Sequence, residues 1–145
     1  MKNKITYSNY DKETGTSLVE ISNSYGSFVG ISHLQEEDKA HASTFAGCKY
    51  AEIKANISYA KERARVLRYQ IKALEDYEKI LKGMSCYNIH SIENKKLRRR
   101  IYELKAEKKK WEDKQIKLKD TLFSTIKERE NALKEIEKIK KGKNN

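Results

Sequence analysis

The stretch GMSCYNIHSIEN, Gly83 to Asn94, decides how this chain folds because it separates two long segments of helical character. Lys, Glu, Leu and Ile dominate the residues on both sides, whereas this stretch gathers Gly, Ser, Asn, His and Tyr. Gly and Asn readily adopt turn conformations, so the chain is expected to reverse direction here. The sequence therefore predicts two antiparallel helices joined by a hinge at residues 83–90.

The residues before the hinge have the periodicity of one long helix. Apolar side chains recur at four-three spacing from Ala46 to Leu81, with Glu78 as the one polar intrusion. Three acids at residues 36–38 suit a helix N-terminus, where the helix dipole favours negative charge, and no Pro follows them. We expect the first helix at residues 36–82.

The residues after the hinge predict a second helix at residues 91–141. Ser91 suits the N-cap position, and Glu93 places a negative charge in the first turn. A helix of about 40 residues is roughly 60 Å long, so each helix needs the other to bury its apolar stripe. The stripe of the second helix consists of Leu97, Ile101, Leu104, Trp111, Leu118 and Leu122.

Short apolar runs in residues 1–35 predict strands rather than helix. They are interrupted at residues 11–15 and 23–26, where Gly and Asn supply turn conformations. We expect three antiparallel strands, near residues 5–17, 17–23 and 27–33. A sheet this small is not stable alone and must pack on the helices. The predicted fold class is α+β, a small N-terminal antiparallel β-meander on a long, coiled-coil-like antiparallel helical hairpin, within a single domain of residues 1–145.

The composition favours long exposed helices and assembly. Hydrophobic and charged residues each make up 37% of the chain, which is too charged for a large core. Two narrow apolar stripes bury little surface in a monomer, so we expect a homo-oligomer. Small residues on the first helix would let the sheet or another helix approach closely: Ala46, Ala51, Ala55, Ala60 and Ala64.

The positive charge lies in the helical part of the chain. Residues 1–43 carry four Lys against six acids, whereas residues 44–145 carry 28 Lys and Arg against 15 acids. A basic field raises the local concentration of anions such as phosphates, nucleic acids or lipid headgroups. A soluble helical surface can have the same charge pattern, so charge alone leaves both interpretations open.

Motifs of catalysis and metal binding are missing from the sequence. It has no HExxH, no Walker phosphate loop and no GxGxxG, and the two Cys do not form a paired motif. Cys86 and His90 could share a helical face, but two ligands do not hold zinc. We therefore predict no enzyme activity, no catalytic residue, no metal and no cofactor. The sequence has no apolar run near 18 residues and no signal-peptide pattern, which predicts a cytoplasmic protein without a membrane partner.

The hinge contains side chains that could bind a nucleotide. Met84 and Tyr87 offer apolar surface on which a base could lie. Asn88 and Asn94 offer paired donors and acceptors for a base edge or a ribose. A helix–helix turn made of turn-forming residues would have a similar composition, so both interpretations stay open.

A basic cluster, KKLRRR at residues 95–100, follows the hinge in the first turns of the second helix. Backbone N–H groups at a helix N-terminus already favour anions. Arg98 or Arg99 could bind a phosphate through two hydrogen bonds. Five cations in six positions surround a helix, so the others are expected to be solvated.

Residues 10–55 carry four short motifs in the order YD-ETG, YG-F-G, EED and GC-YAE. In these motifs the chain resembles small bacteriophage proteins, in particular the anti-Thoeris sponge family of the first type. The similarity extends through the hinge to about Arg100. The resemblance implies a small N-terminal sheet, two long helices and assembly as a dimer or a hexamer.

The resemblance also implies a function. Members of the family bind cyclic ADP-ribose isomers, the signals that TIR enzymes of the host Thoeris defence produce, and hold them without cleavage. Some members bind cyclic trinucleotides at separate sites near the sheet. This chain would then act in the host cytoplasm during infection and bind no specific nucleic acid.

Site residues follow from the resemblance by position. The family pocket uses an aromatic residue near the end of the first helix and an Asn at the start of the second. Asn94 matches the Asn, whereas Met84 stands where the aromatic would be, so either Met84 or Tyr87 covers the base. For the second site, Gly26 matches a family Gly that lets the backbone approach a phosphate, and Lys54 corresponds to a family Arg.

Two other functions fit the same sequence. A nucleic-acid-binding protein would use the basic helices along a phosphate backbone, with affinity that falls steeply with salt. A structural coiled-coil protein, such as a phage assembly scaffold, would use the hinge only as a turn.

Overall fold

The computed structural model describes residues 3–33, 44–84, 88 and 91–143. Three strands and two helices follow one another: β1 (Lys4–Asp11), β2 (Thr16–Asn23), β3 (Gly26–His33), α1 (Thr44–Lys82) and α2 (Ile92–Lys143). The strands form one antiparallel sheet in the order β1-β2-β3. The predicted α+β fold, a β-meander packed on a helical hairpin, is confirmed.

Strand β1 is shorter than expected, because it ends at Asp11 rather than near residue 17. The Asp11 carboxylate accepts hydrogen bonds from the Glu13 backbone N–H and the Thr14 hydroxyl, each at 3.0 Å. Gly15, with φ of 69°, donates its N–H to the Asp11 carbonyl at 2.8 Å. A local side-chain turn of this kind draws the backbone out of the sheet.

Two helix boundaries agree with the sequence, whereas α2 ends at Lys143, two residues after the predicted end. Helix α1 ends at Lys82, the predicted last residue, and α2 begins at Ile92, directly after the predicted cap. The acidic start expected at residues 36–38 lies outside the described residues. Among the described helices, none has an apolar segment long enough to cross a membrane.

The sheet packs on α1 through residues that have small side chains or none. A Cβ atom on Gly30 would lie 1.8 Å from the Ala51 carbonyl oxygen and 2.4 Å from the Ala55 nitrogen. A Cβ atom on Gly47 would lie 2.3 Å from the Ser17 hydroxyl oxygen. At Gly30 the backbone of the strand therefore meets the backbone of the helix, as the predicted role of the small residues requires, whereas Gly47 makes room for the Ser17 side chain.

Larger side chains surround this close contact. Val19 and Ile21 of β2 are almost fully buried. The ring of Tyr59 lies 5.0 Å from that of Phe28 and 6.3 Å from that of Tyr25, measured between centroids. Ring pairs at such separations stabilise a packed core beyond their buried area.

Contacts divide the chain into two compact units, Met1–Tyr59 with Ile116–Asn145, and Ala60–Gln115. In the second unit, Leu67 and Ile71 pack with residues of α2 in one buried cluster. Their partners in this cluster are Ile101, Leu104, Leu97, Trp111 and, from α1 itself, Leu74. The predicted apolar seams of the two helices thus meet over this segment.

Ion pairs also join the two helices of this second unit. The Lys105 ammonium lies 3.0 Å from the Glu75 carboxylate in an exposed pair, which contributes about 0.2–1 kcal/mol at most. Arg63, whose side chain is largely buried, lies 3.8 Å from Glu107, near the limit of an ion pair. The buried apolar cluster therefore provides most of the stability of the contact between the helices.

Candidate functional site

Ser91 fixes the start of α2 at the end of the hinge. Its hydroxyl oxygen accepts a hydrogen bond from the Asn94 backbone N–H at 3.2 Å, which is the contact of an N-cap residue. The Ser91 backbone N–H donates to the Asn88 carbonyl at 3.1 Å. The predicted cap is confirmed, and it ties the first turn of α2 to the hinge backbone.

Asn94 adds a second bond between the helix and the hinge. Its side-chain Nδ2 donates to the Asn88 carbonyl oxygen at 2.6 Å, so this carbonyl accepts two hydrogen bonds. The structure therefore brings together two residues that the sequence singled out for nucleotide binding. This contact uses the Asn94 amide as a donor and leaves its Oδ1 to act as an acceptor.

A cleft of about 320 Å³ opens beside this hydrogen-bonded hinge. Pockets for small ligands measure roughly 300–1,000 Å³, so the cleft has the size of a site for one small molecule. Its wall combines apolar side chains and an aromatic ring with several polar groups. The described residues that line it are Tyr77, Leu81, Asn88, Ser91, Glu93, Asn94 and Leu97.

Five of the seven lining residues were not predicted as ligand contacts: Tyr77, Leu81, Ser91, Glu93 and Leu97. Tyr77 supplies the aromatic ring that the sequence placed at residue 87, and Glu93, assigned only to the helix start, supplies a carboxylate. A carboxylate near a ribose can accept hydrogen bonds from its hydroxyl groups. Helical spacing contained a signal for Tyr77, since it precedes Leu81 by one turn and shares its side of α1.

Of the two residues predicted to cover the base, the structure describes only Met84. Met84 is 48% exposed and does not line the described part of the cleft. Tyr87 lies outside the described residues, as do Cys86 and His90. The stacking role of Met84 or Tyr87 stays a prediction, and the described aromatic ring in the cleft belongs to Tyr77.

Neither of the two arginines predicted to bind phosphate lines the hinge cleft. Arg98 lines a different cleft of about 410 Å³, which three carboxylates share with it. Those carboxylates belong to Glu75, Asp76 and Glu78. Arg99 lies at the surface, with its Nε 3.4 Å from the Glu103 carboxylate. A phosphate contact by either arginine stays a prediction.

The predicted second site involves a turn and a helix in the first unit. Gly26 has φ of 132°, a conformation that side chains rarely allow, and a Cβ there would meet no atom within 4 Å. Its turn is fixed by Asn23, whose side-chain oxygen accepts the Tyr25 backbone N–H at 2.8 Å. Lys54 is half-buried on α1. The open backbone at Gly26 is compatible with a phosphate contact, which stays a prediction.

Comparison with known proteins finds no matching family model, curated protein or solved structure. Within the described ranges, no group of three or more His, Cys, Asp or Glu side chains could hold a metal ion. The chemistry of the hinge cleft is therefore argued from its own residues. An aromatic ring, an amide and a carboxylate beside apolar walls are suited to binding a small polar molecule through its base and its hydroxyl groups.

Proposed function

We propose that this protein is a phage anti-defence sponge that binds cyclic ADP-ribose-type immune signals at the hinge and holds them without cleavage. The observation that carries the proposal is the hinge cleft, where the Tyr77 ring, the Asn94 amide and the Glu93 carboxylate line one cleft of about 320 Å³. The motifs shared with the sponge family in residues 10–55 supply the identity of the ligand.

Each group in the cleft has a role suited to a nucleotide. The Tyr77 ring offers a flat surface for adenine, and Leu81 and Leu97 add apolar walls that exclude water from the base. The Oδ1 of Asn94 accepts a hydrogen bond from the exocyclic amine or from a sugar hydroxyl. Glu93 accepts hydrogen bonds from the ribose hydroxyls.

The phosphates of the ligand are attracted by the start of α2. The first backbone N–H groups of a helix are unpaired within it and favour anions. Lys95 and Lys96 are exposed in the next turn. The net charge of +11 raises the local concentration of a dianionic signal before it binds.

Sequestration also requires that the bound signal is not turned over. A hydrolytic site needs a nucleophile beside a base and donors directed at the developing charge. Among the described lining residues, Glu93 is the one carboxylate, and no His or Cys accompanies it. Hydrogen bonds that suit the ground state of a ligand retain it rather than accelerate its reaction.

The oligomeric state, the location and the second ligand of the protein belong to the same proposal. We expect a homo-oligomer of two or six chains in the cytoplasm of the infected bacterium. A neighbouring chain would then complete the open side of the hinge cleft. A cyclic trinucleotide is the expected ligand of the second site near Gly26 and Lys54.

Calorimetric titration with a cyclic ADP-ribose isomer tests the proposal. The bound ligand is then released by heating the protein and identified by its mass. We expect tight binding and recovery of the intact ligand. Absence of heat with every cyclic nucleotide would refute the sponge and favour the scaffold function. Binding to long nucleic acid that falls steeply with salt and ignores Asn94→Ala would identify a nucleic-acid-binding protein instead.

Variants of the cleft locate the site. Asn94→Ala should lower affinity at least tenfold, because it removes hydrogen bonds from a partly buried site. Glu93→Gln should lower affinity for the ribose-containing ligand by about tenfold, and it leaves the hinge hydrogen bonds in place. Asn131→Ala changes an exposed asparagine elsewhere on α2 and serves as the matched control. Unchanged binding in both cleft variants would remove the hinge from the site.

A further inference from the structure

Helix α1 carries a second apolar stripe in addition to the one that packs on α2. Helical spacing of three and four residues places this stripe on a different side of α1 from Leu67 and Ile71, which contact α2, with Tyr77 at the edge of the stripe nearer to α2. We call it the outer stripe; it consists of Val66, Tyr69, Ala73, Tyr77 and Ile80. It extends over about four helical turns, roughly 21 Å.

The outer stripe is exposed in the described chain. Tyr69, Tyr77 and Ile80 have 56%, 53% and 60% of their surface accessible. The chain as a whole is strongly polar, with a mean hydropathy of −0.92. A continuous exposed apolar surface on such a protein usually marks an interaction site.

Cations border the outer stripe along one side. Five basic residues follow this flank of α1: Lys61, Arg65, Arg68, Lys72 and Lys79. The guanidinium groups of Arg65 and Arg68 each lie 5.5 Å from the centroid of the Tyr69 ring. The Tyr69 ring of the stripe therefore lies close to two positive charges.

Carboxylates offset only part of this charge. Glu62 accepts a hydrogen bond from Arg65 at 2.8 Å, and this bond lowers the pKa of Glu62. Asp76 lies 3.5 Å from the Lys72 ammonium. Lys61 and Lys79 have no carboxylate within ion-pair distance among the described residues. The flank remains positive after its internal pairs are formed.

Three classes of occupant are a second copy of this chain, a nucleic acid and an acidic protein; the charge of the flank argues against the first, and the aliphatic side chains of the stripe argue against the second. Antiparallel pairing of two copies about Ala73 would bring Lys72 of each copy close together, and like charges across such a seam are unfavourable. A nucleic acid would stack on the tyrosines, but it gains little from aliphatic side chains such as Val66 and Ile80. An acidic partner with apolar side chains matches both the flank and the stripe.

We propose that the outer stripe is a docking site for an acidic amphipathic helix of another protein. The partner helix places apolar residues at three- and four-residue spacing on the stripe, as in other complexes where a helix binds an apolar groove. Its Glu and Asp residues lie along the basic flank and pair with Lys61, Lys79 and the two arginines beside Tyr69. This surface is separate from ligand binding except at Tyr77, which also lines the hinge cleft.

The probe for this proposal is a fluorescent 18-residue peptide, about five helical turns long. It carries Leu at helical seam positions and Glu elsewhere, and a matched peptide carries Lys in place of Glu. We expect the full-length protein to bind the acidic peptide and not the basic one. Ile80→Glu should weaken binding at least tenfold, whereas Tyr102→Glu, at an exposed aromatic position of α2, should leave it unchanged. Lys79→Glu should weaken it several-fold, with Lys109→Glu as the control.

Four outcomes would overturn the proposal. The wild-type protein could fail to bind the acidic peptide, or bind both peptides equally. Light scattering could show a self-association that Ile80→Glu abolishes, which would assign the stripe to a second copy of this chain. A single-stranded oligonucleotide could compete with the peptide, and Ile80→Glu could weaken its binding as much as it weakens binding of the peptide. Circular dichroism and a second variant, Ile80→Ser, separate loss of binding from loss of fold.

Discussion

Helix α1 makes two contacts that are built in opposite ways. Toward the sheet, Gly30 leaves no space, and the backbones of the strand and the helix touch at Ala51 and Ala55. Toward α2, the contact consists of branched side chains such as Leu67 and Leu104. The first contact depends on the absence of side chains, and the second depends on the apolar area that side chains bury. The two contacts should therefore respond to opposite kinds of substitution.

The largest effect is expected from adding one methyl group to the sheet contact. Gly30→Ala would place a Cβ atom 1.8 Å from the Ala51 carbonyl oxygen and 2.4 Å from the Ala55 nitrogen. Both are backbone atoms and cannot rotate away, so the sheet and α1 must separate. We expect the free energy of unfolding to fall by about 3 kcal/mol or more. Urea unfolding measures the loss of stability, and faster hydrogen exchange in β2 and β3 would show that the loss arises at the sheet.

Gly142→Ala is the control for this substitution. It lies near the end of α2, where an added Cβ would meet nothing within 4 Å. It should leave stability unchanged or raise it by up to about 1 kcal/mol, because Ala favours helix. A cost below about 1 kcal/mol for Gly30→Ala would show that the sheet contact adapts to added volume.

Removing side-chain volume should instead affect the contact between the helices. Leu67 is 1% exposed at the centre of that contact, and Leu67→Ala should cost about 2–3 kcal/mol. This is the lower half of the usual range, since neighbours such as Leu74 and Leu97 are only half-buried and can partly fill the cavity. Thermal or urea unfolding measures the change. Ile116→Ala, at a largely exposed position, should cost less than about 0.5 kcal/mol.

The same comparison explains which parts of the fold were predictable. The contact between the helices repeats along the sequence, so the seam that includes Leu67 and Leu104 was visible as periodicity. The close approach at Gly30 has no such signal, because it depends on which backbone comes near in three dimensions. The end of β1 was misplaced for a local reason, since the Asp11 side chain forms a turn that a count of apolar residues does not detect.

The candidate site was predictable to a similar extent. Asn94 and Asn88 could be placed together because both lie beside the chain reversal. The surroundings of Arg98 could not be predicted, because they depend on which residues of α1 lie opposite it; Arg98 lines a cleft that also holds three carboxylates and two lysines. Tyr77 was missed because it is not itself a member of the apolar seam, although it lies one turn before Leu81, which is.

The smallest effect is expected at the hinge, where a single cap rather than a packed contact fixes the structure. Ser91→Ala removes the hydroxyl that accepts the Asn94 N–H and should lower the free energy of unfolding by about 1 kcal/mol. Ser91→Asp restores an acceptor and should recover most of this stability. Hydrogen exchange of the Asn94 amide should rise in Ser91→Ala and not in Ser91→Asp.

The cap also separates structural from ligand-binding roles at the hinge. The bond from the Asn94 side chain to the Asn88 carbonyl does not use the Ser91 hydroxyl, so Ser91→Ala leaves it in place. Nucleotide affinity should therefore fall less in Ser91→Ala than in Asn94→Ala when calorimetry compares them. An equal loss of affinity in both variants would mean that Asn94 acts by ordering the first turn of α2. Direct contact between the Asn94 amide and the ligand would instead make the two losses differ.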